Sequence, residues 1–377
     1  MQTMHPTLLV GPADWDPAKM PREEFDARLA MLWQDFPDAA GAVVYGNSSD
    51  YAALAYLSNF TPKLEAALAL IPRRGALRLL IGGGVNMVPA AQPLTFVEKL
   101  APLRDAPATA AAWARALPVG GSLLLIGGDA MPADLRRGLD QALGADLKVE
   151  AAADAALHAR MRVKRSSERD ALREACITLD AAVAALHDAS RDGNIVTDCI
   201  LLAEHAALRR GAQDVRSLFS LDSGRTLRPF DIPIVQRCKP LQVYLAVRHG
   251  GYWADGFVRV GATGDALQGK VERVLNAMIA STKPGLSCPD LAKIVAVAGG
   301  GFAPHPLAEA VFGSSIGLAL DEPPILTRDG TATLEPGAVY SLRAGLLDES
   351  GTGALASAML AVTANGSDIL WRDGKAL

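Results

Sequence analysis

The chain has 377 residues, of which 50% are hydrophobic and 21% are charged, and this composition excludes a disordered or collagen-like protein. Lys and Arg total 37 against 41 Asp and Glu, giving a formal net charge of −4. We therefore expect no nucleic-acid partner, because a protein that binds phosphates needs a basic face. The length favours two domains over one.

Histidine and cysteine are scarce, with 6 and 4 residues. Any metal site would therefore have to rest largely on carboxylates. The cysteines are far apart and show no C-x-x-C spacing, so we expect reduced, mostly packed thiols rather than disulfides or a structural zinc site. They are Cys176, Cys199, Cys238 and Cys288.

Nothing in the pattern indicates targeting or a membrane. Residues 1–24 lack a basic segment followed by an apolar one, so we expect no signal peptide. No stretch approaches the roughly 18 apolar residues that a membrane span requires. We therefore expect a cytoplasmic protein with no membrane partner.

The first half alternates helical and strand-like patterns, which predicts an α/β domain over residues 1–160. The predicted helices are 21–36, 50–57 and 106–117, and the predicted strands are 40–45, 66–72, 77–81 and 122–126. Glycine runs at 82–84 and 127–128 follow strands, but neither fits a nucleotide-binding motif, so tight turns are expected there.

A basic stretch at 160–165 predicts a boundary, and residues 161–377 form the second predicted domain, of α+β class. Ser167, three residues before Asp170, resembles a capping box at the start of a long helix that ends near 189. Further helices are predicted over 197–210 and 267–282. The predicted strands are 217–221, 243–249, 252–260, 338–346 and 356–363.

Seven short motifs occur in an order that is specific although each one is weak alone. They are RVKRSSER (162–169), SG (223–224), GYWAD (251–255), KPG (283–285), GSSIGLALDEPP (313–324), LEPG (334–337) and MLAVT (359–363). Through them the second half resembles the creatinase/prolidase/methionine aminopeptidase family, which implies a pita-bread fold. The first half resembles the family's N-terminal domain at residues 51–60 and 65–72.

The resemblance implies a two-metal site held by two Asp, one His and two Glu, which would activate water for amide hydrolysis. This chain keeps one of the five ligands, Asp255. The other positions hold Tyr244, Ser314, Arg343 and Ser357. A lone carboxylate beside a guanidinium cannot hold a divalent ion tightly, so we expect no metal and no other cofactor. We also expect Arg343 to pair with Asp255, or at least to lie near it.

The metal-free creatinase mechanism does not carry over either. The histidine that handles protons in creatinase is replaced by Phe230, and another family histidine is replaced by Asp321. The remaining polar residues suit a small anionic ligand such as a carboxylate. The candidate binding residues at family positions are Arg343, Tyr244, Ser314 and Ser357. The candidate acids or bases are Asp255 and Asp321.

Four further residues are candidates for ligand binding. Arg225 and Arg228 lie on the loop after residues 223–224, although a solvated loop explains them equally well. His249 flanks a hairpin turn and is the imidazole nearest to the hairpin in sequence, but a plain turn residue is the better interpretation. Lys63 could reach the site of a partner subunit, because the resemblance implies a homodimer.

Two functions remain open. The first is a metal-independent hydrolase or lyase that acts on a C–N bond of a small carboxylate-bearing amino-acid derivative. The second is an inactive pseudopeptidase that binds a ligand or serves as a partner subunit. An Xaa-Pro peptidase is a third choice, since the resemblance makes that activity depend on the missing metals.

Overall fold

The structure is a computed structural model, and it describes residues 14–63, 65–118, 121–144, 147–148, 151–230, 233–237, 240–261 and 265–374. The chain divides into two compact units, Met1–Met161 and Arg162–Leu377. Among the described residues no helix is long and apolar enough to cross a membrane.

The N-terminal unit consists of one mixed sheet with helices. Its helices are α1 (Arg22–Asp35), α2 (Ala52–Ser58), α3 (Val88–Ala91), α4 (Ala106–Ala114), α5 (Ala133–Leu143) and α6 (Ala151–Arg162). Its strands are β1 (Ala39–Asn47), β2 (Ala66–Pro72), β3 (Arg78–Ile81), β4 (Lys99–Pro102), β5 (Ser122–Ile126) and β6 (Leu147–Lys148). The strand order is β4-β3-β2-β1-β5-β6.

The centre of this sheet is apolar on both faces. β1 pairs antiparallel with β2 and parallel with β5, and nearly every residue of the three strands is buried. Strands covered on both faces read as continuous apolar runs rather than as alternating patterns. That is why residues 66–72 and 122–126 are recognisable as strands in the sequence.

The C-terminal unit combines helices with two antiparallel sheets. Its helices are α7 (Ser166–Arg191), α8 (Val196–Arg209), α9 (Ala266–Ser281), α10 (Cys288–Gly299) and α11 (Pro306–Glu309). Its strands are β7 (Asp214–Phe219), β8 (Leu241–His249), β9 (Tyr252–Val260), β10 (Ala303–Pro304), β11 (Val311–Ser315), β12 (Glu322–Thr327), β13 (Val339–Leu347), β14 (Gly353–Val362) and β15 (Ser367–Arg372).

One sheet has the order β12-β11-β13-β14-β15, and the other has the order β7-β8-β9. The core of the larger sheet contains buried residues of α9 and α10, such as Val274 and Leu291, with Leu342 of β13 and Leu360 of β14. Burial of this apolar surface supplies the main driving force for folding of the unit. The larger sheet and the three-stranded sheet together carry the polar residues described below.

The long helix α7 begins differently from the predicted capping box. Its N-cap is Arg165, whose backbone N–H donates to Glu168 Oε2 at 3.1 Å. A glutamate three residues into a helix is long enough to reach back to the cap, so Glu168 takes the place predicted for Asp170. Asp170 instead accepts a hydrogen bond from Arg173 at 2.6 Å.

The cysteines follow the expected pattern as far as the structure describes them. Cys176, Cys199 and Cys288 are free thiols with buried side chains. Burial raises the pKa of the Cys176 thiol far above its ordinary range, so this group stays protonated and unreactive. Cys238 lies outside the described residues.

Candidate functional site

The hairpin of β8 and β9 places two of the candidate residues together. Tyr244 pairs with Phe257, and Asp255 pairs with Ala246 two positions along. Directly opposite residues of an antiparallel pair share a face, so Tyr244 and Asp255 project from the same side of the hairpin. The Tyr244 hydroxyl donates to Asp255 Oδ2 at 3.0 Å.

The larger sheet contributes the next group. Ser314 on β11 pairs with Ser341 on β13, two residues before Arg343. The Ser314 hydroxyl donates to Asp321 Oδ1 at 2.7 Å, and Arg343 Nη2 lies 3.8 Å from the same oxygen. We call this group of five residues the Arg343 site: Tyr244, Asp255, Ser314, Asp321 and Arg343.

Arg343 forms its ion pair with Asp321 rather than with Asp255. Its charge nevertheless acts on Asp255 and Tyr244, because it lowers the pKa of both groups. The structure therefore has the second of the two expected arrangements, in which Arg343 lies near Asp255 but does not form an ion pair with it. The Arg343 side chain is 26% exposed, so the guanidinium can be reached from solvent.

Ser357 has a different place from the one expected of a binding residue. It pairs with Arg343 across β13 and β14, and its hydroxyl accepts a hydrogen bond from the Phe257 backbone N–H at 2.8 Å. This bond connects β14 to the β8–β9 hairpin. Ser357 is almost fully buried, so its hydroxyl holds the two sheets together rather than facing a ligand.

Asp255 has the most strongly perturbed environment of the Arg343 site. Burial raises the pKa of its carboxyl group, while Ser341, Arg343 and Tyr244 oppose that rise to a smaller extent. Ser341 lies close enough to influence the group, but Oδ1 is buried and has no partner of normal hydrogen-bond geometry among the described residues. Oδ1 is therefore the oxygen that can carry a proton.

Burial also raises the pKa of Tyr244 well above its ordinary value, and the neighbouring Asp255 acts in the same direction. The phenol therefore remains protonated at neutral pH and keeps donating to Asp255. Burial thus favours the protonated form of both Tyr244 and Asp255. A protonated phenol is a poor ligand for a divalent ion, because metal binding requires deprotonated ligands.

The donor set likewise does not fit the two divalent ions that the family motifs imply. A fixed guanidinium stands at one ligand position, and hydroxyl groups occupy three others. Across the described part of the chain, no group of three or more His, Cys, Asp or Glu side chains could hold a metal ion. Hard cations need several anionic or carbonyl oxygens within about 2.0–2.6 Å, which these residues do not supply.

Two predicted binding residues lie elsewhere. His249 is five residues from Tyr244 on β8, so it projects from the opposite face of the hairpin, and its Nδ1 lies 3.0 Å from the Thr178 hydroxyl of α7. Arg225 donates to the backbone carbonyls of Ser350 and Gly351, in the turn after β13. The structure does not bring His249 or Arg225 to the Arg343 site, and a binding role for either residue stays a prediction.

The structure does not connect the other two candidates with the Arg343 site. Arg228 is exposed, and its backbone pairs with Phe219 through two hydrogen bonds of 3.0 Å. Lys63 is an exposed residue of the N-terminal unit. Its contact with a partner subunit, and the homodimer itself, stay predictions.

Sequence reasoning missed three residues on the same face as Asp255. Trp253 and Arg248 form a cross-strand pair on β9 and β8, and Arg216 on β7 is opposite Ala246. The signal was available in the two-residue alternation of a strand, since positions 253 and 248 lie an even number of residues from Asp255 and Tyr244. Family motifs directed attention to the ligand positions and away from these neighbours.

Comparisons with known proteins agree with the fold described above. The X-Pro aminopeptidase from Thermotoga maritima has a TM-score of 0.75 and 16% identity, covering 94% of this chain and 98% of that chain. The prolidase from Pyrococcus horikoshii has a TM-score of 0.72 and 16% identity, covering 93% and 99%. The N-terminal domain of the FACT complex subunit SPT16 from chickpea has a TM-score of 0.66 and 13% identity, covering 94% and 97%.

No curated protein sequence matches this chain significantly. The structural likeness confirms the predicted fold class, an α/β N-terminal domain followed by an α+β pita-bread domain. The model of metallopeptidase family M24 matches residues 150–364, which are 215 of the 377 residues. The chain therefore belongs to metallopeptidase family M24, as a divergent, prolidase-like member that lacks most of the family's metal ligands.

Proposed function

We propose that the Arg343 site binds the carboxylate of a small amino-acid derivative and promotes cleavage of one of its C–N bonds without a divalent metal. The observation that carries this proposal is the guanidinium at a former ligand position, beside two carboxyl groups of which one has a raised pKa. An arginine supplies positive charge and directed N–H donors together.

Arg343 suits anion binding because its present ion pair is loose. The 3.8 Å separation from Asp321 exceeds hydrogen-bond distance. A ligand carboxylate can therefore take the guanidinium donors without breaking a strong internal bond. The Ser314 hydroxyl keeps Asp321 in place through its 2.7 Å hydrogen bond.

Asp255 is the proposed acid. In its protonated form it would give its carboxyl proton to the departing nitrogen as that nitrogen takes the electron pair of the breaking C–N bond. In a hydrolysis, water adds hydroxide to that carbon and its remaining proton returns to the Asp255 carboxylate. In an elimination, the neighbouring carbon loses a proton to the Asp255 carboxylate, and the electrons of that C–H bond form the double bond. The raised pKa of Asp255 supports a proton donor because it keeps the carboxyl group protonated to higher pH than an ordinary aspartate.

A second candidate is a pseudopeptidase that binds a ligand or partner without chemistry. Two observations favour it: the polar groups of the Arg343 site hydrogen-bond to one another, and one structural neighbour is named as a subunit of a complex. An Xaa-Pro peptidase remains the third choice, because the neighbours bear that name whereas the donor set opposes metals.

Calorimetry with small carboxylates and N-substituted amino acids, in EDTA, tests the proposal, with release of amine or ammonia as the second readout. We expect binding in wild type, a loss of at least about tenfold in Arg343→Ala, and no change in Arg273→Ala, an exposed arginine of α9. Asp255→Asn should retain binding but lose about 100-fold or more in turnover. Binding without turnover would support the second candidate, and no binding at all would contradict both.

A further inference from the structure

Arg216 lies on the face of the three-stranded sheet that carries Asp255. It pairs with Ala246 across β7 and β8, and Ala246 pairs with Asp255 across β8 and β9. The Cα atoms of Arg216 and Asp255 are therefore separated by two strand spacings, about 10 Å. The residue between them has only a methyl side chain, so Arg216 and Asp255 are consecutive long side chains in this row.

An aromatic ring fixes the position of the Arg216 guanidinium. Arg216 Cζ lies 4.6 Å from the ring centroid of Trp253, a cation–π contact. Trp253 is buried and lies two residues before Asp255 on β9, whereas the Arg216 side chain is 56% exposed. The ring thus holds one face of the guanidinium, while the side chain remains open to a dissolved anion.

The ion pair that Arg216 forms is a weak one. Among the described residues, the carboxylate paired with Arg216 is that of Asp214, 3.6 Å from Arg216 Nη2, a separation too long for a hydrogen bond. An exposed ion pair of this length is weak, so a ligand anion can displace it.

We propose that Arg216, held on Trp253, forms a second anion-binding subsite next to the Arg343 site, so that the ligand is a short compound with two anionic groups. This inference rests on the proposed function, because Arg343 must hold the first carboxylate. Arg216 would then select dicarboxylic over monocarboxylic compounds through a second charge-assisted contact. The planar guanidinium suits both the stack on the ring and a bidentate contact with a carboxylate.

The test compares calorimetric affinities for the diacids succinate, glutarate and adipate with those for the monoacids butyrate, pentanoate and hexanoate, which have the same chain lengths. In wild type we expect at least one diacid to bind about tenfold or more tightly than its monoacid. Arg216→Ala should remove that preference while leaving the monoacid affinity unchanged. Arg216→Lys should restore part of it, and Arg273→Ala should have no effect.

Three results would count against the subsite in distinguishable ways. Equal binding of diacids and monoacids in wild type would overturn the subsite and leave the proposed function intact. A diacid preference that persists in Arg216→Ala would overturn the role of Arg216. No binding of either series would overturn the proposed function and the subsite together. The circular dichroism of Arg216→Ala, matched to wild type, confirms that this surface variant is folded.

Discussion

Arg343 determines which chemistry its neighbours can perform. The two carboxyl groups within its influence, Asp255 and Asp321, would repel each other if both were ionised and unaccompanied. The guanidinium offsets that repulsion at Asp321, while burial keeps Asp255 inclined toward its protonated form. The two acids of this cluster therefore have different electrostatic surroundings.

The raised pKa of Asp255 gives the protein a characteristic pH dependence. Between the pKa of the unfolded chain and the higher pKa of the folded one, the folded state binds more protons, so the free energy of unfolding falls as pH rises through that window. Asp255→Asn should remove this part of the slope and be at least as stable as wild type at pH 7. Urea unfolding from pH 4 to pH 8 measures both effects.

Asp192→Asn, which changes an exposed aspartate after α7, is the matched control and should retain the wild-type slope. Superimposable pH profiles of wild type and Asp255→Asn would show that the Asp255 carboxyl group titrates normally. At this scale the sequence identified Tyr244, Asp255 and Arg343 through family positions. It could not identify the ion pair of Arg343 with Asp321, because side-chain packing decides which of two nearby acids is the partner.

At the scale of elements, the loop before Arg225 crosses the start of β14 at very close range. The Gly353 backbone N–H donates to the Ser223 carbonyl at 2.8 Å, and Gly224 has a φ of +84°. A Cβ atom on Gly224 would lie 2.1 Å from the Gly353 carbonyl oxygen, which is backbone and cannot rotate away. This crossing accounts for a glycine at position 224 of the motif.

Gly224→Ala should therefore lower the free energy of unfolding by about 3 kcal/mol or more, since steric overlap adds to the roughly 1–2 kcal/mol of a left-handed residue. Gly285→Ala is the matched control: φ there is +82°, and no atom lies within 4 Å of the added Cβ. It should cost only the roughly 1–2 kcal/mol of the left-handed backbone. Equal losses of thermal midpoint in the two variants would contradict the close crossing.

His305 connects the same loop to α11. Its Nδ1 accepts from the Leu307 N–H at 3.1 Å and its Nε2 donates to the Gly224 carbonyl at 2.8 Å, which requires the neutral ring. Burial lowers the pKa of His305 below its ordinary 6.5. The unfolded chain then binds more protons below about pH 6.5, so stability falls as pH drops through this range.

His305→Gln should remove that acid-side loss of stability, at a cost of about 1–2 kcal/mol at pH 8 for the altered hydrogen bonds. Thermal midpoints between pH 5 and pH 8 provide the measurement. His205→Gln, at an exposed position of α8, should follow wild type throughout. If the thermal midpoint of His305→Gln still falls at low pH as it does in wild type, groups other than His305 cause the loss of stability.

Elements with a strong local pattern were predictable. Strands 66–72 and 252–260 were recognised with the bounds that the structure gives, because long apolar or alternating runs specify them. β7 occupies 214–219 rather than 217–221, since its pairing with β8 extends through polar residues such as Arg216. Arg216 was therefore left outside the predicted strand, because the local sequence does not show where a polar edge strand begins to pair with its neighbour.

For the whole molecule, four substitutions would restore the missing metal ligands. Tyr244→Asp, Ser314→His, Arg343→Glu and Ser357→Glu together would rebuild the five-ligand set around Asp255. We expect Mn²⁺ at 100 times its Kd to add about 2.7 kcal/mol to the free energy of unfolding of this quadruple variant, and so to raise its thermal midpoint. The thermal midpoint of wild type should not change.

Because Ser357 is buried and bonded to Phe257, its enlargement could prevent folding, so the triple variant that keeps Ser357 is tested in parallel. Asp255→Asn in either background should abolish the effect of Mn²⁺. Stabilisation of wild type by Mn²⁺ to the same extent would contradict the conclusion that its donor set does not fit a metal.

At this scale the fold and the family followed from the sequence, because seven motifs in a fixed order specify a chain path even when each is weak. The chemistry did not follow in the same way. Motifs report which residues a relative needs, and here four of the five ligand positions carry other side chains. What those substitutes do together depends on burial and distance, which only the folded structure supplies.

The guanidinium of Arg343 has one further consequence. Divalent ions come from a shared cellular supply, and a more strongly binding ion can displace the intended one, since affinities follow the same order at most sites. A positive charge that belongs to the polypeptide is present at full occupancy as soon as the chain has folded. It cannot be removed by a chelator, and it cannot be exchanged for the wrong ion during metal starvation or metal excess.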